Sequence, residues 1–237
     1  MQKLILNHHP LLLLPQRAIY IETLQALLVS DVHLGKAETF QSYGVAVASQ
    51  VNQASLTRLA DLCQTYQPQS LWILGDLFHS FAAREEGVRQ SWLDFLDLTQ
   101  VTAHLVMGNH DRPLAASLDQ FRLICHREGV MVDNLWFSHE PQAEVKGPSL
   151  CGHSHPCLRL GGRGDRLRLP CFHWQPAHNR LTLPAFGEFT GGYNIRLEVG
   201  EVAYVVAEDT VVEFRSEEHM SELQSPCNLV CRLLLEK

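Results

Sequence analysis

Residues 71–80 read LWILGDLFHS. Leu71 to Leu74 form an apolar run of strand length that ends in Gly75-Asp76, with Phe78 and His79 just beyond. A carboxylate and an imidazole thus stand where a hydrophobic strand surfaces, and the chain repeats the arrangement. ALLVSDVHLGK (26–36) ends in Asp31 and His33, and HLVMGNHDR (104–112) ends in Asn109, His110 and Asp111. NLWFSHEP (134–141) supplies His139, and LCGHSHP (150–156) supplies His153 and His155. In open α/β sheets, sites gather beyond the carboxyl ends of strands. Convergence of all five ends on one crevice explains why each apolar run delivers oxygen or nitrogen groups as it leaves the core.

Strand-like runs occur at 11–14, 18–21, 26–29, 71–74, 104–107 and 135–137. Helical spacing joins Leu56, Leu59, Ala60, Leu62, Cys63 and Tyr66, and again Val88, Trp92, Leu93, Phe95 and Leu96. A shorter helix is expected from Leu114 to Leu123, after Pro113 in a first-turn position. Strands alternating with helices predict an α/β architecture. The last third changes character. Gly161-Gly162-Arg163-Gly164 reads as a hairpin turn, and RLRLPCFHW, RLTLPAF, YNIRLEV and VAYVVAE read as successive strands.

The 237 residues are 46% hydrophobic and 19% charged, with net charge −7 when histidines are neutral. That balance needs no disulfide staples. No internal repeat or linker divides the chain, and we read residues 1–214 as a single domain. Residues 215–237, RSEEHMSELQSPCNLVCRLLLEK, follow the last convincing strand. Their start resembles the in-frame translation of a sequencing-library adapter, so a non-native read-through tail is expected there. The acidic balance gives no global basic field for nucleic acid, so an anionic substrate must be held by local arginines or metals. Seven cysteines without a paired CxxC spacing argue against structural zinc and for reduced thiols in a cytoplasmic protein. Leu11 to Leu14 is too short to span a bilayer and lies between Pro10 and Pro15, unlike a signal-peptide core. No membrane association is expected.

The chemistry at the strand ends is consistent with ligation. Asp31 and His33 stand two apart, as do His153 and His155, and in extended chain such pairs point the same way. Imidazole, carboxylate and amide without thiolate suit Mn²⁺, Fe or Zn²⁺ without choosing among them.

The ordered set Asp-x-His, Gly-Asp, Gly-Asn-His-Asp, His, Gly-His-x-His, over residues 26–156, resembles the calcineurin-like metallophosphoesterase superfamily. The resemblance implies a four-layer α/β/β/α sandwich and two divalent metal ions, with Mn²⁺ first among the candidates. It implies that one ion is held by Asp31, His33, Asp76 and His155. The other is held by Asp76, Asn109, His139 and His153, so that Asp76 bridges. The reaction implied is in-line attack on phosphorus by a water that the two cations acidify. We assign His110 to protonation of the leaving oxygen or stabilisation of the transition state, and Asp111 to orienting an imidazole, His110 foremost.

The stretches SDVHLGKAETF, GDLFHS, GNHDR and LPAFGEFTGG are similar to the bacterial DNA-ligase-associated metallophosphoesterases, a likeness that runs to about residue 214. It implies a phosphodiesterase or nuclease acting on DNA in repair, alongside a DNA ligase and a helicase. Phe78-His79-Ser80 stands where protein phosphatases of the superfamily carry Asp-Arg-Gly, which counts against that subgroup. Candidate substrate contacts are Arg112, His79 and Phe78, the last as a stacking face for a base. Lys36 adds a nearby cation. Arg159, Arg163, Arg166 and Arg168 form either a solvated hairpin face or phosphate contacts. Two other functions stay open. One is hydrolysis of a small nucleotide or a nucleotide-linked lipid precursor. The other is a metal-free interaction scaffold, which the complete ligand set disfavours.

Overall fold

Apolar residues on both faces of the run at 71–74 demand a sheet covered on both sides. The computed structural model describes residues 1–42, 50–81, 85–143, 145, 147–161, 167–188 and 190–216. Of the segment expected to be non-native, residues 217–237 lie outside these, as do Arg163 and Arg166.

The first sheet contains β1 (Gln2–Leu6), β2 (His9–Leu14), β3 (Ala18–Ile21), β4 (Ala26–Val29), β5 (Ser70–Ile73), β6 (Thr102–Val106) and β7 (Ile124–His126), side by side in chain order. β1 to β4 pair antiparallel, as an amino-terminal meander; β4 to β7 pair parallel. Parallel neighbours need crossovers. They come from α1 (Lys36–Ser42) with α2 (Gln50–Tyr66), from α3 (Glu86–Thr99), and from a 3-10 segment, Arg112–Phe121. This last element replaces the expected α-helix. The Ser117 hydroxyl donates to the Leu114 carbonyl three residues back, which suits the tighter winding.

The second sheet is built from β8 (Val130–Val132), β9 (Leu135–Phe137), β10 (Ser149–Cys151), β11 (Pro156–Leu160), β12 (Leu167–Gln175), β13 (Arg180–Thr182), β14 (Tyr193–Asn194), β15 (Val202–Ala207) and β16 (Thr210–Arg215). Its order is β14-β11-β12-β13-β10-β9-β8, with β15 on β12 and β16 on β15. β11 and β12 form the expected antiparallel hairpin, with Leu160 opposite Leu167. YNIRLEV contributes only the two residues of β14, and β1, β7 and β8 were not expected. The three residues of β7 and of β8 are too few for a periodicity to show.

Strand alternation divides the core. Leu71 and Ile73 face the helices, where Leu59 and Trp92 pack, while Trp72 and Leu74 face Phe137, Leu150, Phe172 and Leu181 of the second sheet. The two-sheet sandwich expected from the sequence is therefore present, with α1 to α3 all drawn from residues 36–99. Among the described residues no helix is long and apolar enough to cross a membrane. The described cysteines, Cys63, Cys125, Cys151, Cys157 and Cys171, are all unpaired.

α3 buries Val88, Trp92, Phe95 and Leu96, a helical stripe, and closes at Gln100 in the left-handed region, with its amide donating to the Leu96 carbonyl. The indole N–H of Trp92 donates to the Phe121 carbonyl at 2.8 Å, tying α3 to the segment that follows Asp111. Trp92 is completely buried. Replacing it with Ala is expected to lower the unfolding free energy by about 3–5 kcal/mol, as read by urea denaturation.

Candidate metal centre

The parallel ladder of β4 and β5 does not stop where the strands end. The amide of Asp31 donates to Gly75 O at 3.0 Å, His33 to Asp76 O at 3.0 Å, and Leu34 to Leu77 O at 2.8 Å. The first two motifs thus leave the sheet as one zipped pair of loops. Asp31, His33, Asp76, His153 and His155 have φ of 55°, 56°, 52°, 68° and 46°. The extended backbone expected for the two Asp/His-x-His pairs is therefore absent: they reach the centre by left-handed turns. Each such non-glycine residue costs of order 1–3 kcal/mol and persists only when its surroundings over-determine it.

Two glycines permit the packing. Gly75 has φ +84°, and a Cβ there would lie 2.0 Å from the ring Nδ1 of His139. A Cβ on Gly108 would lie 2.1 Å from Oδ1 of Asp76. Both positions exclude any side chain.

Backbone carbonyls set the imidazoles. A carbonyl only accepts, so a ring nitrogen facing one carries the proton and its other nitrogen offers a lone pair. Nδ1 of His139 donates to Leu74 O at 2.9 Å, and Nδ1 of His155 to Gly191 O at 3.1 Å. The Nε2 of His155 then stands 2.9 Å from Oδ1 of Asp31, a contact that a proton or a shared cation can occupy, and each atom is otherwise without a hydrogen-bond partner. The Nε2 of His139 lies 3.1 Å from Asn109 Oδ1, 3.0 Å from His153 Nδ1 and 3.6 Å from Asp76 Oδ2. Donors about 2.1 Å from one cation stand about 3 Å apart, so these separations suit ligands of a shared ion. The buried Nδ1 of His33 also lacks a partner. The residues present therefore fit divalent cations.

Among the described residues four groups have ligand atoms within 4.8 Å of one another: Asp31, His33 and His155; Asp31, Asp76 and His139; His33, His79 and His110; and, away from the strand ends, His8, His9 and Asp133. Asp31, expected at one ion, belongs to the first two. Asp76 offers the centre its Oδ2, because Oδ1 accepts the amide of His110 at 3.0 Å. Burial drives the His33 imidazole down to about 3, against the pull of Asp31, which keeps it neutral and able to ligate. Burial would raise Asp31, but His155, His139 and His33 outweigh it and hold the carboxyl below its usual range. Asp76 is raised, by burial first and by Asp31 in addition.

The second shell departs from expectation. Asp111 does not orient His110. Its carboxylate accepts three backbone amides: Asp76 at 2.7 Å, Gly108 at 3.0 Å and Phe78 at 3.1 Å. It is fully buried, and burial pushes it up to about 6 despite those bonds. The side chain points back beneath the two loops and fixes their mutual position. His110 is oriented instead by the carbonyl of His79, which accepts from Nδ1 at 2.8 Å. Its Nε2 is then turned inward, 3.9 Å from Oδ2 of Asp76.

Of the candidate substrate contacts, Phe78 is overturned. It is 0% exposed and packs on Phe121 with ring centroids 4.5 Å apart, so it offers no face to a base. His79 stands at the rim, stacked on His110 at 5.2 Å and edge-on to His33 at 5.4 Å. Burial, then repulsion from Lys36 and His110, drives it down to about 4. Lys36, half-buried at the start of α1, therefore brings a positive charge to the same rim. Arg112 is exposed and pairs with Glu140 at 3.6 Å. Glu188 is held by Arg58 at 2.9 Å. The carbonyl acceptors at Leu74, His79 and Gly191 had no sequence signal, because any residue carries that group.

The profile of the calcineurin-like phosphoesterases matches residues 24–207. The chain belongs to the calcineurin-like phosphoesterase family. It is a metal-dependent phosphoesterase. The nuclease MPE of Pseudomonas putida is similar in structure, with 32% identity over 90% of this chain and 99% of that one, at a TM-score of 0.76. Yfce, a phosphoesterase from E. coli, has 14% identity over 81% of this chain and 99% of its own, at a TM-score of 0.41, too remote to carry an argument. Among curated proteins nothing matches.

The brace beneath the loops has a measurable consequence for this phosphoesterase. Asp111→Ala leaves three buried amides without their acceptor, each worth about 1–3 kcal/mol. The variant is expected to lose at least about 3 kcal/mol of stability by denaturant unfolding. Bound metal, by plasma mass spectrometry, should weaken about 10–100-fold in affinity.

Proposed function

We propose that the chain is a dinuclear phosphodiesterase that cleaves DNA as a nuclease in repair. The observation that carries this reading is the clustering of Asp31 Oδ1 and His155 Nε2, 2.9 Å apart, beside the ring of donors around His139, a set of separations that suits shared cations. The likeness to the P. putida nuclease over nearly the whole chain favours a phosphodiester of nucleic acid as the substrate. Asp31, His33, Asp76 and His155 would hold one ion, and Asp76, Asn109, His139 and His153 the other. Two bound divalent cations supply a clamp for the phosphate and acidify an attacking water. We assign Mn²⁺ to both positions on the donor set and the superfamily resemblance, the cytoplasm as location on the unpaired cysteines, and a DNA ligase and a helicase as associates on the resemblance to the ligase-associated group.

The chain's own residues do the rest. Nδ1 of His110 keeps its proton on the His79 carbonyl, so Nε2 is the atom that gives a proton to the leaving oxygen. The bond from its own amide to Asp76 keeps the ring in register with the ligands. His79 stays neutral beside it and does not compete for that proton. Lys36 and Arg112 supply positive charge at the rim for the phosphate oxygens, Arg112 by exchanging Glu140 for substrate.

The test is a Mn²⁺-supplemented panel of single-stranded DNA, duplex DNA, a simple diester, a simple monoester and a nucleotide-lipid substrate. DNA and diester cleavage is expected. Cleavage confined to the monoester or the nucleotide-lipid would overturn the nuclease reading. Asp76→Asn should abolish activity on every substrate that the wild type cleaves. His110→Asn should cut kcat by about 10²–10⁴ while metal content stays near that of the wild type. Equal metal loss in both variants would remove His110 as the proton donor.

A further inference from the structure

Two arginines on paired strands, and a third just past the end of a neighbouring strand, stand next to the metal centre. Arg159 and Arg168 are direct register partners in the β11–β12 pair. On the other side of β11, Tyr193 and Asn194 of β14 stand beside Pro156 and Cys157 in parallel. The ladder continues with the amide of Ile195 donating to Cys157 O at 2.9 Å, which brings Arg196 level with Arg159. The alternate residues Leu158, Leu169, Ile195 and Leu197 pack against the hydrophobic cluster on the sheet's other face. The arginines therefore share the outward face, and all three are exposed.

Such a row is unfavourable by itself, since like charges directly opposite one another destabilise a sheet. It is also uncompensated. Among the described residues the arginine ion pairs belong to Arg58, Arg89, Arg112, Arg122 and Arg215, and none reaches Arg159, Arg168 or Arg196. Of these arginines, sequence reading singled out 159 and 168. Arg196 joins them only through the β11–β14 pairing.

The row starts at the centre. β11 follows His155 directly, the carbonyl of His155 accepts the amide of Tyr193 at 2.8 Å, and its ring donates to Gly191. The guanidinium of Arg168 lies 3.3 Å from the Cβ position of Gly192, between those two contacts. Arg159 stands four residues past His155, roughly 13 Å along the strand. A small diester bound at the metals does not reach it, whereas a polymer strand does.

We infer that Arg168, Arg159 and Arg196 form a track for the phosphates of a nucleic-acid strand flanking the bond to be cut. The inference rests on the nuclease reading and deepens it: the preferred substrate is a strand extending past the centre along β11, not a nucleotide or short diester. Phosphate contacts of this kind position a strand without reading its sequence.

The test uses Mn²⁺-loaded wild type and the double variant Arg159→Gln/Arg196→Gln. Binding of a fluorescent phosphorothioate single strand, which keeps its charges but resists cleavage, is measured against KCl concentration. Loss of two phosphate contacts should reduce the slope of log K against log salt by about 1.4. KM for an ordinary oligonucleotide should rise at least about tenfold. Hydrolysis of bis(p-nitrophenyl) phosphate should be the same in both proteins. Arg159→Lys/Arg196→Lys should restore the slope. An unchanged slope and KM in the Gln variant overturns the track, as does an equal loss on the small diester, which would mean structural damage. Wild type that binds anionic vesicles but no oligonucleotide overturns it too. A wild type that cleaves no DNA, yet binds it with the predicted slope difference, sinks the nuclease reading while the track stands.

Discussion

Two buried carboxylates, Asp31 and Asp76, share a small space with the imidazoles of His33, His139 and His155. Carbonyls from Leu74 and Gly191 have already taken the outward protons of two of those rings. The centre concentrates carboxylates and imidazoles in a region of low dielectric, where every charge must find a partner. Everything around it acts to keep that arrangement from relaxing.

The loops that hold it are strained and short, and they are braced from below. Left-handed backbone at five of the seven proposed ligands is a cost that the rest of the fold must offset. The offset is visible in the continuation of the β4–β5 ladder past the sheet and in the three amides gathered by Asp111. Phe78 belongs to the same brace: between Asp76 and the rim residue His79, it anchors the loop in the helix-side core through Phe121. Chemistry sits on the loops, and precision comes from the two-sided packing of the strands that deliver them.

That division explains which readings of the sequence held. The apolar runs at 26–29 and 71–74 are long enough, and buried enough, to announce central strands, and their polar endings announce a site. Phe78 and Asp111 were misread for one reason. After a left-handed turn, neither alternation nor adjacency says which way a side chain points, so Asp111 beside His110 in sequence faces away from it in space. The strands of three residues, such as β7 and β8, are defined by their neighbours rather than by any pattern of their own.

The sequence alone determined the types of ligand, their order, and the attachment of each to the end of an apolar run, because those depend on residue identity and on local periodicity. Tertiary structure alone decided which nitrogen of each imidazole faces the centre, which carboxylate supports the loops instead of serving in the site, and that Arg196 lies beside Arg159. The reason is physical. Those outcomes are fixed by hydrogen bonds between residues far apart in the chain, such as His139 to Leu74 and His155 to Gly191, and by strand register that no short stretch encodes.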